Sequence, residues 1–398
     1  MCKSNSRLNA VLLMVASQVL VNCSQTTQGT GTGGSSTTGG TIAHGGTIGT
    51  NSTVGGRGGS SVGGTVATGG TTGSSARTIQ GDACTVAAPT HWDATVYVVR
   101  CSVEVKDTLT IAPGAIIKFA PGFYLNVQAG GTLSAIGTDS LPILFTSLKD
   151  DAHGGDSGGD GPTVAARNDW GCQGQCGDLN IAGEGSVLDH VQDLYGSNGV
   201  YVQAKSVQIK DSIFAHHNTY GLVLDDRLGV ETTYVDGNAF FDNNGYPLRM
   251  GKAIFLSAMN SFHDPDNPDT MNAKQCIELD TDIDQLTLLG VTELGFLFSG
   301  HSIRAELLLS PPGVIFKAQN DSIYVDASAS FANGPNMIFT SYEDDSVGGD
   351  CTGDGPSTPK DGDWQGLWID DGSKADWAAP ADYIRYAAKS GTMLLPSL

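Results

Sequence analysis

The fold is decided by a short stretch that occurs three times in the middle of the chain. Its copies are Asp211-Ser212-Ile213-Phe214, Gly237-Asn238-Ala239-Phe240 and Met259-Asn260-Ser261-Phe262. The phenylalanines are spaced by 26 and 22 residues, and each copy follows a run of β-forming residues. This interval is typical of one rung (one turn) of a parallel β-solenoid, in which identical positions of neighbouring rungs stack. We therefore expect Phe214, Phe240 and Phe262 to stack inside a solenoid.

Polar residues follow the first two copies at equivalent places. Asn218 and Asn244 each occupy a predicted turn. An asparagine amide there can bond to the adjacent rung, and asparagine tolerates a left-handed backbone. We predict that these two asparagines link successive rungs. The pair His216 and His217 falls in the same turn, and we expect both imidazoles to face solvent.

The rest of the chain from about residue 84 supports the same fold class. Short segments rich in β-branched and aromatic residues alternate with Gly, Asn and Asp, as in Thr95–Val99 and Tyr124–Val127. No segment keeps a helical period for more than a turn or two. The sequence therefore predicts an all-β protein.

A longer segment is present twice. Phe145–Trp170 and Phe339–Trp364 share Phe-Thr-Ser, Asp-Asp, Gly-Gly-Asp, Gly-Asp-Gly-Pro and Asp-Trp at identical spacing, without a gap. A repeat of this length, including its acidic loop, indicates that one module was duplicated. We predict two tandem modules, at residues 79–270 and 271–398.

These residues also carry a resemblance to a known fold. Leu109–Phe119, followed by Gly130–Leu133 and Ile143–Ser147, resembles the opening of right-handed parallel β-helix modules of the pectate-lyase-like superfold in bacterial surface and secreted proteins. Leu307–Lys317 matches the same opening in the second module. The resemblance implies a right-handed parallel β-helix and says little about activity.

The second module is shorter than the first. Tyr383–Tyr386 corresponds to Leu188–Val191, after which the first module continues for about eighty residues and the second ends. An uncovered last rung would expose sheet edges and core, which is an aggregation hazard. Either Gly391–Leu398 caps the solenoid or the chain is a truncated version of a longer protein, and we favour truncation.

The N-terminal residues indicate export. Lys3 and Arg7 precede the mostly apolar run Leu8–Val21, which is typical of a secretory signal over residues 1–23. The ending at Cys23 resembles a bacterial lipobox, although Asn22 departs from the expected small residue, and ordinary secretion is the alternative. Residues 24–78 are almost entirely Gly, Thr and Ser, which predicts a disordered tether with a reach of about 40 Å.

Charge and cysteines restrict partners and compartment. A net charge of −21 argues against nucleic acid and against anionic membranes, so we expect membrane attachment only through a lipid on Cys23.

Beyond Cys2 and Cys23, six cysteines remain, which allow fifteen pairings in an oxidising compartment. The local pairings Cys84–Cys101 and Cys172–Cys176 are the predicted ones.

The duplicated loops are a candidate calcium site. Their spacing resembles the start of an Asp-x-Asn-x-Asp-Gly calcium loop, although the middle ligand and the later bidentate Glu are missing. A solvated acidic turn is the alternative. The candidate ligands are Asp150, Asp151, Asp156 and Asp160 in the first copy, and Asp344, Asp345, Asp350 and Asp354 in the second.

Trp170 and Trp364 end the two copies. We predict that each indole packs over the base of its loop. The alternative is an exposed indole that stacks on a sugar ring.

A catalytic site is the remaining alternative. The resemblance implies that lyases of this fold pair a calcium-holding acidic cluster with an Arg or Lys base, and the residues that mimic this are Asp225, Asp226, Arg227 and Arg249. No family catalytic motif matches them, and a salt-bridged surface turn is the favoured interpretation. We therefore expect a structural, adhesive or glycan-binding role, with a glycan or a surface protein as the partner. The alternative is a polysaccharide lyase or glycoside hydrolase acting on acidic polysaccharide. A chain without function is a third hypothesis.

Overall fold

A computed structural model describes residues 76–398 except 173, 175, 226–232, 252–253, 284–286, 301, 305–307, 311–312, 326–330, 334–336, 371–383, 389–392 and 396–398. One 3₁₀ turn, Gly81–Cys84, accompanies the strands in this part of the chain. In chain order the strands are β1 Arg77–Ile79, β2 Thr85–Val86, β3 Thr90–Trp92, β4 Val96–Val99, β5 Val103–Val105, β6 Thr108–Ile111, β7 Ile116–Phe119, β8 Leu125–Val127, β9 Thr132–Ile136, β10 Ile143–Ser147, β11 Leu179–Ile181, β12 Val187–Asp189, β13 Val191–Leu194, β14 Val200–Val202, β15 Gln208–Lys210, β16 Ile213–Ala215, β17 Leu222–Leu224, β18 Thr233–Asp236, β19 Ala239–Phe241, β20 Leu248–Met250, β21 Ile254–Leu256, β22 Cys276–Leu279, β23 Thr287–Leu289, β24 Gly295–Phe298, β25 Ser302–Ile303, β26 Leu308–Ser310, β27 Ile315–Ala318, β28 Ser322–Val325, β29 Phe331–Asn333, β30 Ile338–Ser341, β31 Gly366–Asp370 and β32 Met393–Leu395.

The strands form four parallel sheets. Sheet 1 contains β1, β4, β7, β10, β13, β16 and β19; sheet 2 contains β2, β5, β8, β11, β14, β17, β20, β22, β24, β27 and β30; sheet 3 contains β3, β6, β9, β12, β15, β18, β21, β23, β26 and β29; sheet 4 contains β25, β28, β31 and β32. Each inner strand of a sheet pairs with the strand one rung before it and the strand one rung after it. Among the described strands, β31 and β32 are the one pair that are also neighbours in sequence. The all-β prediction and the parallel β-solenoid, with about 10 turns, are confirmed. The described residues contain no helix with the length and hydrophobicity to span a membrane.

The core is a set of stacked apolar columns. Alternate residues of each short strand point inward, so each rung adds one member to a column. Phe214 stacks on Phe240 with 5.3 Å between ring centroids, and Phe240 stacks on Phe262 at 5.7 Å. The predicted phenylalanine stack is confirmed.

The asparagine ladder lies one residue earlier than predicted. Asn218 and Asn244 are exposed, whereas Asn243 is buried, accepts a hydrogen bond from the His217 backbone N–H at 3.0 Å and donates to the Phe214 carbonyl at 3.1 Å. The cause is the preceding residue: Asp242 has a positive φ of 51°, a left-handed turn that directs the next side chain inward. The same geometry occurs at a second corner, where Gly237 with a φ of 68° precedes the buried Asn238.

The two copies of the repeated segment lie in different sheets. In the first copy β7 pairs with β10 in sheet 1, and in the second β27 pairs with β30 in sheet 2, with matching registers. Sheets 2 and 3 continue across the junction, because β20 pairs with β22 and β21 with β23. The chain therefore visits sheets 1, 2 and 3 in the first module and sheets 2, 4 and 3 in the second. The second module is shifted by one face within a continuous solenoid.

Candidate functional site

The outer face of sheet 2 carries polar and aromatic side chains beside a cleft. Its central column runs in register through one residue per rung, namely Glu104, Asn126, Asn180, Tyr201, Val223, Arg249 and Glu278. Strand alternation explains the column, because the flanking residues of each strand point into the core. The sheet thus presents a straight row of mostly polar side chains, interrupted by Val223, on a rigid support.

Two tyrosines anchor the middle of this face. The Tyr201 hydroxyl donates to Asp225 Oδ2 at 3.0 Å, and Gln203 Nε2 donates to the same oxygen at 3.0 Å. In the next rung Tyr220 stacks on Tyr246 with ring centroids 6.4 Å apart, and its hydroxyl donates to Glu278 at 2.8 Å. Both phenols are therefore fixed in orientation by carboxylates.

Arg249 is held between Tyr220 and two carboxylates. Its guanidinium lies 6.0 Å from the centroid of the Tyr220 ring and 3.5 Å from the Glu278 carboxylate, and it also donates a hydrogen bond to Asp280. Burial favours a lower pKa for Arg249, but the hydrogen bond and charge of Asp280 outweigh it and raise the pKa. The side chain is permanently a cation in this setting and cannot serve as a base.

These side chains surround an open cleft of about 270 Å³. It is lined by Gly174, Cys176, Asn198, Tyr201, Tyr220, Val223, Arg249 and Asp280. One wall is the Cys172–Cys176 loop, whose carbonyls at both cysteines accept hydrogen bonds from Asn198 Nδ2. Beyond the other side, Tyr246 packs against Tyr342 and the disulfide between Cys276 and Cys351, next to the second acidic loop.

The two disulfide pairings predicted from the sequence are confirmed. Cys84 pairs with Cys101, and Cys172 pairs with Cys176. The remaining two, Cys276 and Cys351, form a third disulfide across 75 residues. The third bridge ties the second acidic loop to strand β22 of sheet 2.

The sequence-predicted catalytic residues are only partly together. Asp225 and Arg249 lie on the same outer face, but Asp225 bonds to Tyr201 and Gln203 while Arg249 pairs with Glu278 and Asp280. Asp226 and Arg227 lie outside the described residues. The tyrosines and Glu278 were missed, because only the rung register shows that they share this face.

The loop aspartates mainly accept hydrogen bonds from their own loops. Asp156 takes backbone N–H groups of Gly159 and Gly161, which hold the pKa of its carboxyl low. In the second copy the Asp350 carboxylate likewise accepts hydrogen bonds from the backbone N–H groups of Gly353 and Gly355. Of the remaining candidates, Asp150 and Asp344 accept from threonine hydroxyls, Asp151 from Thr163, Asp345 from Ser357 and Asp354 from Thr352, while Asp160 is exposed.

Calcium in these loops stays a prediction. Within the described part of the chain, two groups of three residues have metal-ligand spacing, and neither contains a loop aspartate. One group is Asp178, Asp193 and His217, and the other is Asp189, His190 and Asp211. In both copies the second aspartate of the Asp-Asp pair, Asp151 or Asp345, keeps one buried carboxylate oxygen that has no hydrogen-bond partner among the described residues.

Sequence reasoning missed two lysines beneath these loops. Lys118 and Lys317 are fully buried, and their ammonium groups donate to loop carbonyls, Lys118 to Gly155 at 2.6 Å and Lys317 to Asp344 at 2.8 Å. Burial lowers the pKa of both, that of Lys317 to about 8, against the attraction of nearby aspartates. Lysine within an otherwise apolar strand was the available signal.

Trp170 and Trp364 pack rather than project. They are 1% and 0% exposed, and their indole N–H groups donate to the carbonyls of Leu194 and Arg385. Trp170 stacks on Phe119 with centroids 4.5 Å apart. No face of either ring is open to a sugar, so sugar stacking at these two residues is excluded by burial.

The expectation that His217 faces solvent is wrong. His217 is 0% exposed because His216, with a φ of 63°, turns the following side chain inward. It lies between the buried carboxylates of Asp178 and Asp193. Burial raises the pKa of Asp193 to about 7, although the charge of His217 counteracts this.

No family model, curated protein or solved structure matches the chain. The functional conclusion therefore depends on the geometry of the outer face of sheet 2.

Proposed function

We propose that the protein is an exported β-solenoid that binds an oligosaccharide in the cleft on the outer face of sheet 2. The observation that carries this proposal is the group of Tyr201, Tyr220 and Arg249 around one open cleft, each oriented by a carboxylate or a ring. Sugar rings offer an apolar face to aromatic side chains and hydroxyls to charged, oriented partners. A parallel sheet holds such groups at fixed spacing with little entropy lost on binding.

The charges around the cleft favour a neutral glycan over an acidic one. Arg249 is the cation lining the cleft, and Glu278 and Asp280 already neutralise it. A uronate carboxylate would meet surplus negative charge on a chain whose net charge is −21. A binding role is therefore preferred to the cleavage of polyuronates.

Anchoring at a surface forms part of the proposal. The signal over residues 1–23, a lipid on Cys23 and the Gly/Thr/Ser tether of residues 24–78 would carry the solenoid away from a membrane. Residues 1–75 lie outside the described residues. The mass of the mature N-terminal peptide tests this part, because a diacyl or triacyl adduct on Cys23 is expected, and an unmodified cysteine contradicts it.

A glycan array followed by calorimetric titration tests the binding role. We expect saturable binding of at least one neutral oligosaccharide, with about a tenfold or greater loss of affinity in Tyr201→Ala, since an aromatic contact contributes on the order of 1–2 kcal/mol.

Tyr234→Ala is the matched control. Tyr234 is a partly exposed tyrosine that contacts Phe255 and belongs to sheet 3, whereas the cleft lies on sheet 2 and Tyr234 is not among the residues that line it. Equal loss in Tyr234→Ala and Tyr201→Ala, or the absence of any binding to the array, contradicts the proposal.

A further inference from the structure

An aspartate interrupts the aromatic column of sheet 1. Asp193 of β13 lies in register with Phe145 on one side and Phe214 on the other. It is completely buried, and neither of its carboxylate oxygens has a hydrogen-bond partner in the part of the chain that the structure describes. Burial of an unbonded carboxylate is costly unless a cation compensates it.

A second carboxylate enters the same interior space. Asp178, also 0% exposed, accepts backbone N–H groups of Ser197 at 3.0 Å and Gly199 at 2.8 Å. Gly171 and Gly196 approach it so closely that an added Cβ would lie 1.6 and 1.8 Å from its oxygens. Only glycine fits at these two positions, so the backbone is shaped around the carboxylate.

His217 presents a nitrogen to this space in a fixed tautomer. Its Nε2 donates to the Asp193 backbone carbonyl at 2.9 Å, which leaves Nδ1 as the atom facing Asp178 Oδ2 at 3.3 Å. Nδ1 is buried and, apart from this approach to Asp178, has no polar partner among the described residues. A histidine that donates its other ring N–H to a backbone carbonyl is the usual arrangement of a metal-bound imidazole.

We propose that Asp178, Asp193 and His217 form an interior site for one divalent cation of the zinc class. One ligand atom from each residue lies within 4.8 Å of the others, and the 3.3 Å between Nδ1 and Oδ2 equals about one edge of a tetrahedron with bonds of about 2.0 Å. An imidazole with two carboxylates suits zinc, whereas calcium and magnesium take oxygen ligands. The dication balances the two carboxylates, which a protonated His217 does only in part.

Metal content and thermal stability of the full chain test this site. The chain is unfolded in denaturant in the presence of a chelator and then refolded with or without Zn²⁺. Gel filtration removes excess metal, and the zinc content of the refolded chain is measured. We expect one zinc per chain after refolding with Zn²⁺ and a rise in Tm of about 5–10 °C, because a ligand bound far above its Kd stabilises the folded state. A wild-type chain that holds no stoichiometric zinc and shows no shift overturns the proposal and leaves His217 as a buried proton-carrying cation.

Two variants make the result specific. Asp193→Phe continues the column between Phe145 and Phe214, so it is expected to fold, to hold no zinc and to show no zinc-dependent rise in Tm. His190→Gln alters the partly exposed group of Asp189, His190 and Asp211 and is expected to retain one zinc. Zinc retained by Asp193→Phe, or lost only in His190→Gln, contradicts the interior site. Should Asp193→Phe not fold, His217→Gln takes its place with the same expectations.

Discussion

Lys118 and Lys317 occupy equivalent places in the openings of the two modules, each in register with a threonine of the repeated segment, yet their strands belong to different sheets. Lys118 lies in β7 of sheet 1 and Lys317 in β27 of sheet 2. Each is buried beneath an acidic loop whose carbonyls accept hydrogen bonds from its ammonium group. The local structure of the repeat therefore survived its transfer to another face of the solenoid.

Replacing Lys317 should change the pH dependence of stability. Its pKa is about 8 in the folded protein and about 10.5 when unfolded, so between these values the unfolded chain binds more protons. Stability of the wild type therefore rises with pH from 8 to 10 by about 2 kcal/mol relative to Lys317→Met. Denaturant unfolding of both chains at several pH values measures this difference. The exposed Lys106→Met is the control, and a pH-independent difference for Lys317→Met contradicts the assignment.

Asn243→Ala should be strongly destabilising. It leaves the His217 N–H and the Phe214 carbonyl without their buried partner, at about 1–3 kcal/mol for each group. Asn244→Ala, one residue later and exposed, should change stability by less than about 0.5 kcal/mol. Chemical denaturation of both variants tests the position of the ladder, and equal effects would refute it.

The three disulfides should differ in their contribution. On the chain-entropy model the Cys276–Cys351 bridge, which closes 75 residues, stabilises by about 4.5 kcal/mol, and the Cys172–Cys176 bridge, which closes 4, by about 2 kcal/mol. Serine pairs at each position, compared by thermal unfolding, measure this. A larger loss at Cys172 and Cys176 would mean that native-state contacts outweigh the entropy of the unfolded chain.

Arg249→Met should weaken glycan binding, and it should have no effect on polysaccharide cleavage because we expect none in the wild type. Loss of the guanidinium removes the donor held over Tyr220 and leaves Glu278 and Asp280 facing each other without their cation. We expect affinity for the array ligand to fall about tenfold, as for the loss of a charged hydrogen bond. Neither chain should release unsaturated, ultraviolet-absorbing ends from polyuronates. Release by the wild type that is lost in Arg249→Met would establish a lyase instead.

Local signals in the sequence were enough for the fold class. The spacing of Phe214, Phe240 and Phe262 predicted the solenoid and the stack, and short separation predicted two disulfides. The asparagine ladder was predicted at Asn244 instead of Asn243 because the left-handed φ of Asp242 was not foreseen. Aspartate also occurs in ordinary turns, so the residue type alone does not indicate a left-handed φ. His217 was misjudged for the same reason.

The candidate site depended on information that is absent from any local segment. The outer face of sheet 2 brings together Tyr201, Tyr220 and Glu278, which are far apart in sequence. Their positions on this face depend on the number of residues in each intervening rung. The Cys276–Cys351 pairing likewise spans 75 residues. Asp193 was not among the sequence-predicted site residues, and only the register shows that it lies between Phe145 and Phe214 in an aromatic column.

The shift of the second module by one face had an effect on the cleft. If the second copy of the repeated segment had stayed in sheet 1, its acidic loop would have covered sheet 1 again, as the first loop does. On sheet 2 it adjoins the tyrosines of the first module, where Gln275 donates a backbone hydrogen bond to the Asp350 carbonyl and Cys276 binds Cys351. One duplicated element thus acquired two uses, a cover on one side of the molecule and a neighbour of the binding surface on another.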